Sequence, residues 1–141
     1  MVREFKSVMS KPEIIAEIGQ NHNGDIELAK ELIKIAKECG ADVAKFQVYE
    51  AKKLFDSSDK NPWFEYNCKT ELSKDDILYL SEYCEKLNIE FMASVFDSER
   101  IEWLEEGNVK RYKVASRSIK DNLLIKNLIL TEKPLIISLG I

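Results

Sequence analysis

Cysteine is scarce in this sequence, and the spacing of the cysteines argues against disulfide bonds and metal sites. The chain has three cysteines in 141 residues, Cys39, Cys68 and Cys84, an odd number without close metal-ligand spacing. A disulfide framework and a zinc site are therefore not expected. We predict that Cys39 and Cys84 are small core residues of helices.

Long apolar runs and an excess of positive charge are missing as well. No segment approaches the roughly 18 apolar residues of a membrane span, and the opening MVREFKSVMSK lacks the apolar core of a signal peptide. The formal net charge is -4, and basic residues are interleaved with acidic ones. These features predict a soluble, cytoplasmic protein that binds neither nucleic acid nor a membrane.

Apolar and charged residues make up most of the chain. They amount to 45% and 33% of it, which suits one domain with a substantial core. No internal repeat, low-complexity run or linker divides the sequence. We therefore expect a single domain over residues 1–141.

Five short apolar segments predict strands, and four amphipathic segments between them predict helices. The predicted strands are Ile14–Ile18, Asp42–Val48, Ile89–Val95, Val109–Ala115 and Leu135–Leu139. The helix boundaries are marked by Asp25 and Gly40, by the capping box Ser73 and Asp76, by Asp97 or Ser98 and Gly107, and by Asn122 and Leu130. Their predicted buried positions are Ala29, Leu32, Ile33, Ala36 and Cys39; Ile77, Leu80, Cys84 and Leu87; Ile101 and Leu104; and Leu124, Ile125, Leu128 and Ile129.

A long polar connection over residues 49–70 carries three aromatic residues, Trp63, Phe64 and Tyr66. Loops of this length inside a domain are usually functional or disordered, and clustered aromatics argue against disorder. Two interpretations stay open. The aromatics either dock the connection on the domain or contact a substrate.

The order of the elements, four strand-helix units and a last strand, predicts an α/β fold with a parallel sheet. The sheet is either doubly wound or part of a (β/α) barrel of the TIM type. A closed barrel needs eight units and around 250 residues. The chain would then supply about the first four and a half units, and it is expected to be part of a longer chain or to form a homo-oligomer.

Three of the apolar strands each carry one costly ionisable residue: Glu17, Lys45 and Lys113. Together with Ser116 they fall at the carboxyl ends of the strands, where ligands bind in both parallel architectures. Two lysines suit a phosphate or a carboxylate, and one carboxylate suits acid or base chemistry. A structural ion pair is the alternative, but a buried pair contributes little stability, so we favour function.

The segments IAEIGQNHNGD, GADVAKFQ, FMASVFD, YKVAS and PLIISLG, taken in this order, resemble the amino-terminal half of the sialic acid synthase family. The resemblance runs from about Ile14 to the end of the chain. It implies a (β/α) barrel and an enzyme that condenses phosphoenolpyruvate with N-acetylmannosamine or a related sugar. The product is a nine-carbon 2-keto acid, and phosphate is released.

The resemblance also implies a role for each matching residue. Glu17 matches the catalytic carboxylate at the carbon under attack. Lys45 and Lys113 match lysines that hold the phosphate and carboxylate of phosphoenolpyruvate, with Ser116 assisting. Further substrate-binding positions are Gln47, Asn21 and His22 beside the site, and Ser94 in place of the family's threonine.

Three departures from the family pattern concern the sugar end of the site. ASVFD stands for STPFD, SLGI stands for STGM, and Ser116 to Ser118 replace a glycine-containing turn that ends in an acidic residue. Arg117 is bulky where the family is open. The phosphoenolpyruvate end is thus largely kept. The departures fit a different sugar, a divergent subfamily or lost activity, and these alternatives stay open.

The family holds a divalent metal, usually manganese, and the cofactor expected here is manganese or magnesium. Its two histidine ligands lie in the second half of the barrel, whereas this chain has only His22, and one imidazole is a poor metal site. The family's carboxy-terminal antifreeze-like domain is absent too. We therefore expect the isolated chain to be inactive.

Two other functions fit the same residues. One is another phosphate-binding barrel enzyme, aldolase-like or deoxyheptulosonate-synthase-like, in which Lys45 or Lys113 would form a Schiff base. The other is a non-catalytic anion-binding or assembly module that keeps the lysines.

Overall fold

One parallel sheet of five strands organises the fold. The computed structural model describes residues 11–54 and 63–140. The strands are β1 (Ile15–Gly19), β2 (Val43–Val48), β3 (Glu90–Val95), β4 (Tyr112–Val114) and β5 (Leu135–Ile137). They lie in the order β1-β2-β3-β4-β5, and every pair of neighbours is parallel. The predicted parallel α/β fold is confirmed, and the consecutive order differs from that of a doubly wound sheet, which reverses direction.

Six helices connect or flank these strands in the described part of the chain. They are α1 (Ile26–Glu38), α2 (Ala51–Leu54), α3 (Phe64–Lys69), α4 (Lys74–Lys86), α5 (Ser98–Glu106) and α6 (Asn122–Leu130), with a 3-10 turn at Ser116–Ser118. The predicted caps are confirmed: Asp25 accepts from the first turn of α1, and Ser73 with Asp76 makes a capping box on α4. Asp97 caps α5 in the same way.

The sheet has two chemically different faces because successive side chains of a strand alternate. The helix face is apolar, and it forms one core with α1, α4, α5 and α6. Its strand residues include Ala44, Phe46, Val48, Phe91, Ala93, Val95, Tyr112 and Val114. The opposite face, called the polar face below, carries Glu17, Lys45, Gln47, Ser94 and Lys113. The strand register places Glu17 beside Lys45, Gln47 beside Ser94, and Ser94 beside Lys113.

Arg111 ties three strands together at their amino ends. Its guanidinium donates to Glu90, with Nε 2.7 Å from Oε1, and to Glu13, with Nη1 2.7 Å from Oε2. Glu13 precedes β1 and Arg111 precedes β4, so two strands lie between them, and strands of a sheet are about 4.8 Å apart. A bridge over that span indicates that the sheet curls towards the polar face.

Two predicted core positions are wrong. Cys39 is exposed, because it is the residue that ends α1, whereas Cys84 is buried as predicted. Ile129 is 61% exposed, although its neighbours Leu124 and Leu128 are buried. Helix α6 packs against α5 on one side, and the described residues provide no element that covers the side of Ile129.

The connection over residues 49–70 has more structure than its sequence predicts. It contains α2 and α3, and residues 55–62 between them lie outside the described part. The Tyr66 hydroxyl donates to the backbone oxygen of Gln20, at 3.2 Å, so this aromatic docks the connection on the domain. The last two strands are shorter than predicted. Across the described residues, no helix has the length and apolar character needed to cross a membrane.

Candidate functional site

The site begins at an irregularity in β1. Glu17 pairs in register with Lys45, but the next paired residue is Gly19, so one extra residue is accommodated between them. Such bulges re-aim side chains and are frequent next to functional sites. Gly19 has a φ of 57°, and an added Cβ there would lie 3.3 Å from Glu17 Oε1 and 3.6 Å from Gln47 Nε2. The carboxylate and the amide thus flank this glycine.

Lys45 is the buried centre of the cluster. Its ammonium forms an ion pair with Glu17 Oε2 and lies 3.2 Å from Ser94 Oγ, to which it donates. The Lys45 side chain is 9% exposed and that of Glu17 is 55% exposed. One member of the pair is therefore fixed inside the protein while its carboxylate partner is open to solvent.

Lys113 completes the group of charges. Its ammonium donates to the Val114 backbone oxygen at 3.0 Å and to Ser138 Oγ. Burial is the main cause that lowers the pKa of Lys113, the nearby positive charge of Lys45 lowers it further, and Glu17 opposes both. Two lysines and one carboxylate therefore act on one another within a small region, and an anion placed among them would relieve the repulsion between the lysines.

The remaining predicted site residues are distributed unevenly. Ser116 opens the turn after β4 and is exposed. The backbone of Gly140, which follows β5, lies close to it, since an added Cβ on Gly140 would be 2.7 Å from the Ser116 Cβ. Asn21 is exposed, and its amide donates to the Ile18 oxygen at 2.9 Å, which closes its own loop. The structure thus gathers Glu17, Lys45, Gln47, Ser94 and Lys113.

His22 lies apart from this cluster. It is fully buried, its Nδ1 accepts from the Gly24 N–H at 3.2 Å, and its ring centroid is 6.1 Å from that of Phe46. Phe46 belongs to the helix face, whereas its neighbour Lys45 belongs to the polar face. His22 therefore packs behind the sheet rather than beside the lysines.

A metal does not fit the described residues. They contain no group of three or more His, Cys, Asp or Glu side chains that could hold an ion. His22 Nε2 is buried without a hydrogen-bond partner among the described residues, and its Nδ1 is already engaged. The described residues thus offer no ligand set for the metal that the resemblance implies.

His22 should make stability fall at mildly acidic pH. Burial lowers the pKa of its imidazole, and the nearby Asp76 only partly opposes this. When the pH falls below the ordinary histidine pKa of about 6.5, His22 binds a proton in the unfolded chain but not in the folded chain. The free energy of unfolding therefore decreases as the pH falls. The slope for one proton is at most about 1.4 kcal/mol per pH unit.

The test is urea unfolding between pH 7.5 and 5.5. Because His22 is the chain's only histidine, His22→Gln should show a shallower decrease than the wild type. Parallel curves for the two proteins would contradict the prediction.

The structure adds site residues that sequence reasoning missed. Ser138, which holds the ammonium of Lys113, follows an apolar strand directly, as Ser116 does. The place of Ser138, directly after an apolar strand, is the sequence signal that could have identified it. Gln20 and Tyr49 bond each other across 29 residues, and no local pattern reveals such a pair.

Two cavities of the described residues lie away from the charged cluster. One of about 410 Å³ lies at the amino end of β3 and is lined by Asp42, Ser81 and Asn108, among others. Another of about 460 Å³ lies beside α2 and α3 and is lined by Glu50, Cys68 and Glu71, among others. The cluster itself is open towards solvent at Glu17.

Comparisons with known proteins define the class. Residues 32–141 match the NeuB family, and this chain belongs to that family. Its relatives include the N,N'-diacetyllegionaminic acid synthase of Legionella pneumophila, which is 40% identical, with 90% of this chain and 39% of the relative covered. The human N-acetylneuraminate-9-phosphate synthase is 38% identical, with 90% and 38% covered. The predicted resemblance to sialic acid synthases is confirmed.

A solved structure agrees with these relatives. The sialic acid synthetase of Leptospira borgpetersenii, in complex with citrate, superposes with a TM-score of 0.83 at 34% identity. The match covers 92% of this chain and 45% of that one. The chain thus spans about two fifths of the length of the two curated relatives it matches.

Proposed function

We propose that this chain provides the phosphoenolpyruvate-binding part of a sugar-acid synthase. The reaction condenses phosphoenolpyruvate with an N-acetylated aldose, N-acetylmannosamine or a relative, to a nine-carbon 2-keto sugar acid, and it releases phosphate. The observation that carries the proposal is that Glu17 and Lys45 form an ion pair on the polar face, and that Lys113 lies on the same face beside Ser94, the residue to which Lys45 donates. The names of the relatives support the class of product.

The same proposal includes a barrel of the TIM type. The strands β1 to β5 would be its first four and a half units, with the polar face turned inwards. Three observations support this: the consecutive parallel order, the helices on one face, and the Arg111 bridge that curls the sheet. In such barrels the site lies at the carboxyl ends of the strands. Gln47 and Ser94 are the penultimate residues of β2 and β3, and Ser138 follows β5, so these polar residues lie towards that end.

The two lysines would hold the two anionic groups of phosphoenolpyruvate. Lys45 is fixed by Ser94, and Lys113 is fixed by Ser138, so the separation of their ammonium groups is set before the ligand arrives. Preorganised cations stabilise a bound anion without a further ordering cost. Ser116 and Gln47 would add hydrogen bonds at the rim.

Glu17 would act on the carbon that becomes positively charged. The electron pair of the enol C2–C3 bond attacks the aldehyde carbon, the aldehyde oxygen takes up a proton, and C2 is left as an oxocarbenium ion. A carboxylate beside C2 stabilises that charge. Water then adds to C2 and loses one proton, which leaves a hydroxyl and the phosphate on the same carbon. The bond from C2 to the phosphate oxygen breaks, inorganic phosphate leaves, and the C2 hydroxyl gives up its proton to form the ketone.

Manganese or magnesium is the cofactor that the resemblance implies. The described residues contain no ligand set that fits such an ion, so no step above is assigned to it. The proposed roles of this chain are therefore limited to binding the anion with Lys45 and Lys113 and to stabilising the positive charge at C2 with Glu17.

Titration with phosphoenolpyruvate tests the proposal. The 141-residue chain should bind phosphoenolpyruvate weakly, and it should form no sugar acid from phosphoenolpyruvate and N-acetylmannosamine, even with manganese. Calorimetry measures the binding and a phosphate-release assay measures turnover. Failure to bind phosphoenolpyruvate would contradict the proposal, and clear turnover by the chain alone would contradict the expected incompleteness.

A Schiff-base enzyme is the second candidate, because burial and Lys45 lower the pKa of Lys113 and so favour its neutral, nucleophilic form. Borohydride in the presence of pyruvate would then attach a mass to the chain. We expect no such adduct, since Lys113 is already bonded to Val114 and Ser138. A non-catalytic anion-binding module would bind phosphoenolpyruvate, and the full-length protein would release no phosphate.

A homo-oligomer or a longer assembly stays a prediction, as does the cytoplasmic location. The sheet edge at β5 fits association, because Ile137 in β5 and Leu139 after it are 43% and 76% exposed. Exposed apolar side chains of this kind are frequent at interfaces.

A further inference from the structure

A network of polar side chains lies at the carboxyl ends of β1 and β2, the two strands that carry the ion pair. Gln20 Nε2 lies within hydrogen-bond distance of three acceptors, Asn67 Oδ1 at 2.8 Å, Thr70 Oγ1 at 3.1 Å and the hydroxyl of Tyr49, which share its two N–H donors. Tyr49, Asn67 and Thr70 are 1%, 4% and 0% exposed. Polar groups this deep are costly unless they are all paired.

Every member of the network has partners. The Tyr49 hydroxyl donates to the Asn67 backbone oxygen at 3.1 Å, and the Thr70 hydroxyl donates to that of Tyr66 at 2.9 Å. The Asn67 amide donates to the Trp63 backbone oxygen at 2.7 Å. A fully satisfied network of this kind rigidifies the segments that it joins.

The joined segments are the ends of the two strands that carry the ion pair. Gln20 directly follows β1, three residues after Glu17, and Tyr49 directly follows β2, four residues after Lys45. The loop after β1 is held a second time, because the Tyr66 hydroxyl donates to the Gln20 backbone oxygen. Helix α3 therefore fastens the carboxyl end of β1 to that of β2.

We propose that Gln20 is a positioning residue, which sets Glu17 against Lys45 through Tyr49 and α3 and thereby fixes the anion-binding geometry. Its amide has no role in touching the anion itself. This inference deepens the function proposed above and rests on it. If Gln20 only added stability, its loss would act like the loss of any other buried hydrogen bond.

Two substitutions break the network at different points. Gln20→Met keeps the length of the side chain and removes its donors, and Thr70→Val keeps the shape and removes the hydroxyl. Ser81→Ala is the matched control, because Ser81 Oγ donates to the Gly107 oxygen at 2.6 Å, beside the cavity at the amino end of β3. Urea unfolding measures the stability of each variant.

The first readout is the ratio of two affinities. Phosphoenolpyruvate needs both lysines at a fixed separation, whereas one lysine suffices for inorganic phosphate. Both network variants should weaken phosphoenolpyruvate binding about tenfold, since the loss of one hydrogen bond to a charged group weakens affinity by about that factor. Phosphate affinity should change little, and Ser81→Ala should alter neither.

The second readout needs no ligand. The ammonium protons of Lys45, which lie between Glu17 and Ser94, should exchange slowly with water in the NMR spectrum. Both network variants should speed this exchange, and Ser81→Ala should not. If the wild type fails to bind phosphoenolpyruvate while exchange still depends on Gln20, the proposed function is wrong and the positioning role stands.

Either of two results would overturn the inference. One is exchange at Lys45 that is unchanged in both network variants. The other is a loss of phosphoenolpyruvate affinity that follows unfolding stability equally in all three variants. Because Thr70→Val is conservative, it tests the inference even if Gln20→Met does not fold.

Discussion

Gly24→Ala is expected to lower the free energy of unfolding by about 2–5 kcal/mol, as the sum of a left-handed backbone and an overpacked contact. Gly24 has a φ of 78°. A Cβ added there would lie 2.3 Å from the backbone oxygen of Lys69, at the end of α3. A backbone atom cannot rotate aside, so α3 must move away from the loop after β1.

The control is Gly40→Ala. Gly40 has a φ of 88°, and an added Cβ there has nothing within 4 Å. It should show the cost of the backbone alone, about 1–2 kcal/mol. Urea unfolding gives both values, and the fluorescence of Trp63, which packs edge-on against Tyr66, reports whether α3 has moved. Equal losses in the two variants would show that the contact with Lys69 does not matter.

The elements of the fold were predictable because their signals are local. Caps such as Asp25 and the pair Ser73 and Asp76 act within one helical turn, and helical spacing of apolar residues identified the buried stripes. The errors occur where tertiary context decides. Ile129 has the spacing of a core residue, but α6 lies at the border of the described core, and the periodicity of a helix does not say whether a neighbour exists.

The cluster was predictable for a different reason. A charge in an apolar strand is costly, so Glu17, Lys45 and Lys113 stood out, and the two-residue period of a strand fixed the face on which each would lie. The sequence did not show that the three residues share one face. The register of neighbouring strands places them there together.

Depth and long-range pairing were not predictable. The sequence places His22 in a polar loop, yet the loop folds its ring inwards onto Phe46. The bond between Gln20 and Thr70 joins residues 50 positions apart, and neither residue has a local pattern that requires it. Helix α3, which is capped at its carboxyl end by Thr70, lies in a segment whose composition resembles that of a loop.

Lys45→Met is expected to weaken phosphoenolpyruvate binding by about 10- to 100-fold, because a hydrogen bond to a charged group contributes about 1.5–3 kcal/mol. The effect should be large because Lys45 is fixed on two sides, by Glu17 and by Ser94, before any ligand arrives. Lys53→Met is the control. Lys53 is 54% exposed and pairs with Glu50 and Glu99 beyond β2, so its loss should leave the affinity within about twofold, as an exposed ion pair contributes little.

Glu17→Gln separates a binding site from a structural ion pair, because the two interpretations predict opposite signs. In a binding site, the negative charge of the carboxylate repels the incoming anion. Glutamine keeps a side-chain oxygen that accepts from Lys45, so the substitution removes the charge and leaves Lys45 in place, and phosphoenolpyruvate binding by the chain should strengthen. In a longer protein that completes the proposed barrel, the same substitution should strongly lower phosphate release, because the carboxylate proposed to stabilise the positive charge at C2 would be lost. In a structural pair, Glu17→Gln and Lys45→Met would both destabilise the fold, and neither would change affinity beyond that loss. Calorimetry and urea unfolding on the same samples decide between them: weaker binding by Glu17→Gln, in proportion to lost stability, would remove Glu17 from the site.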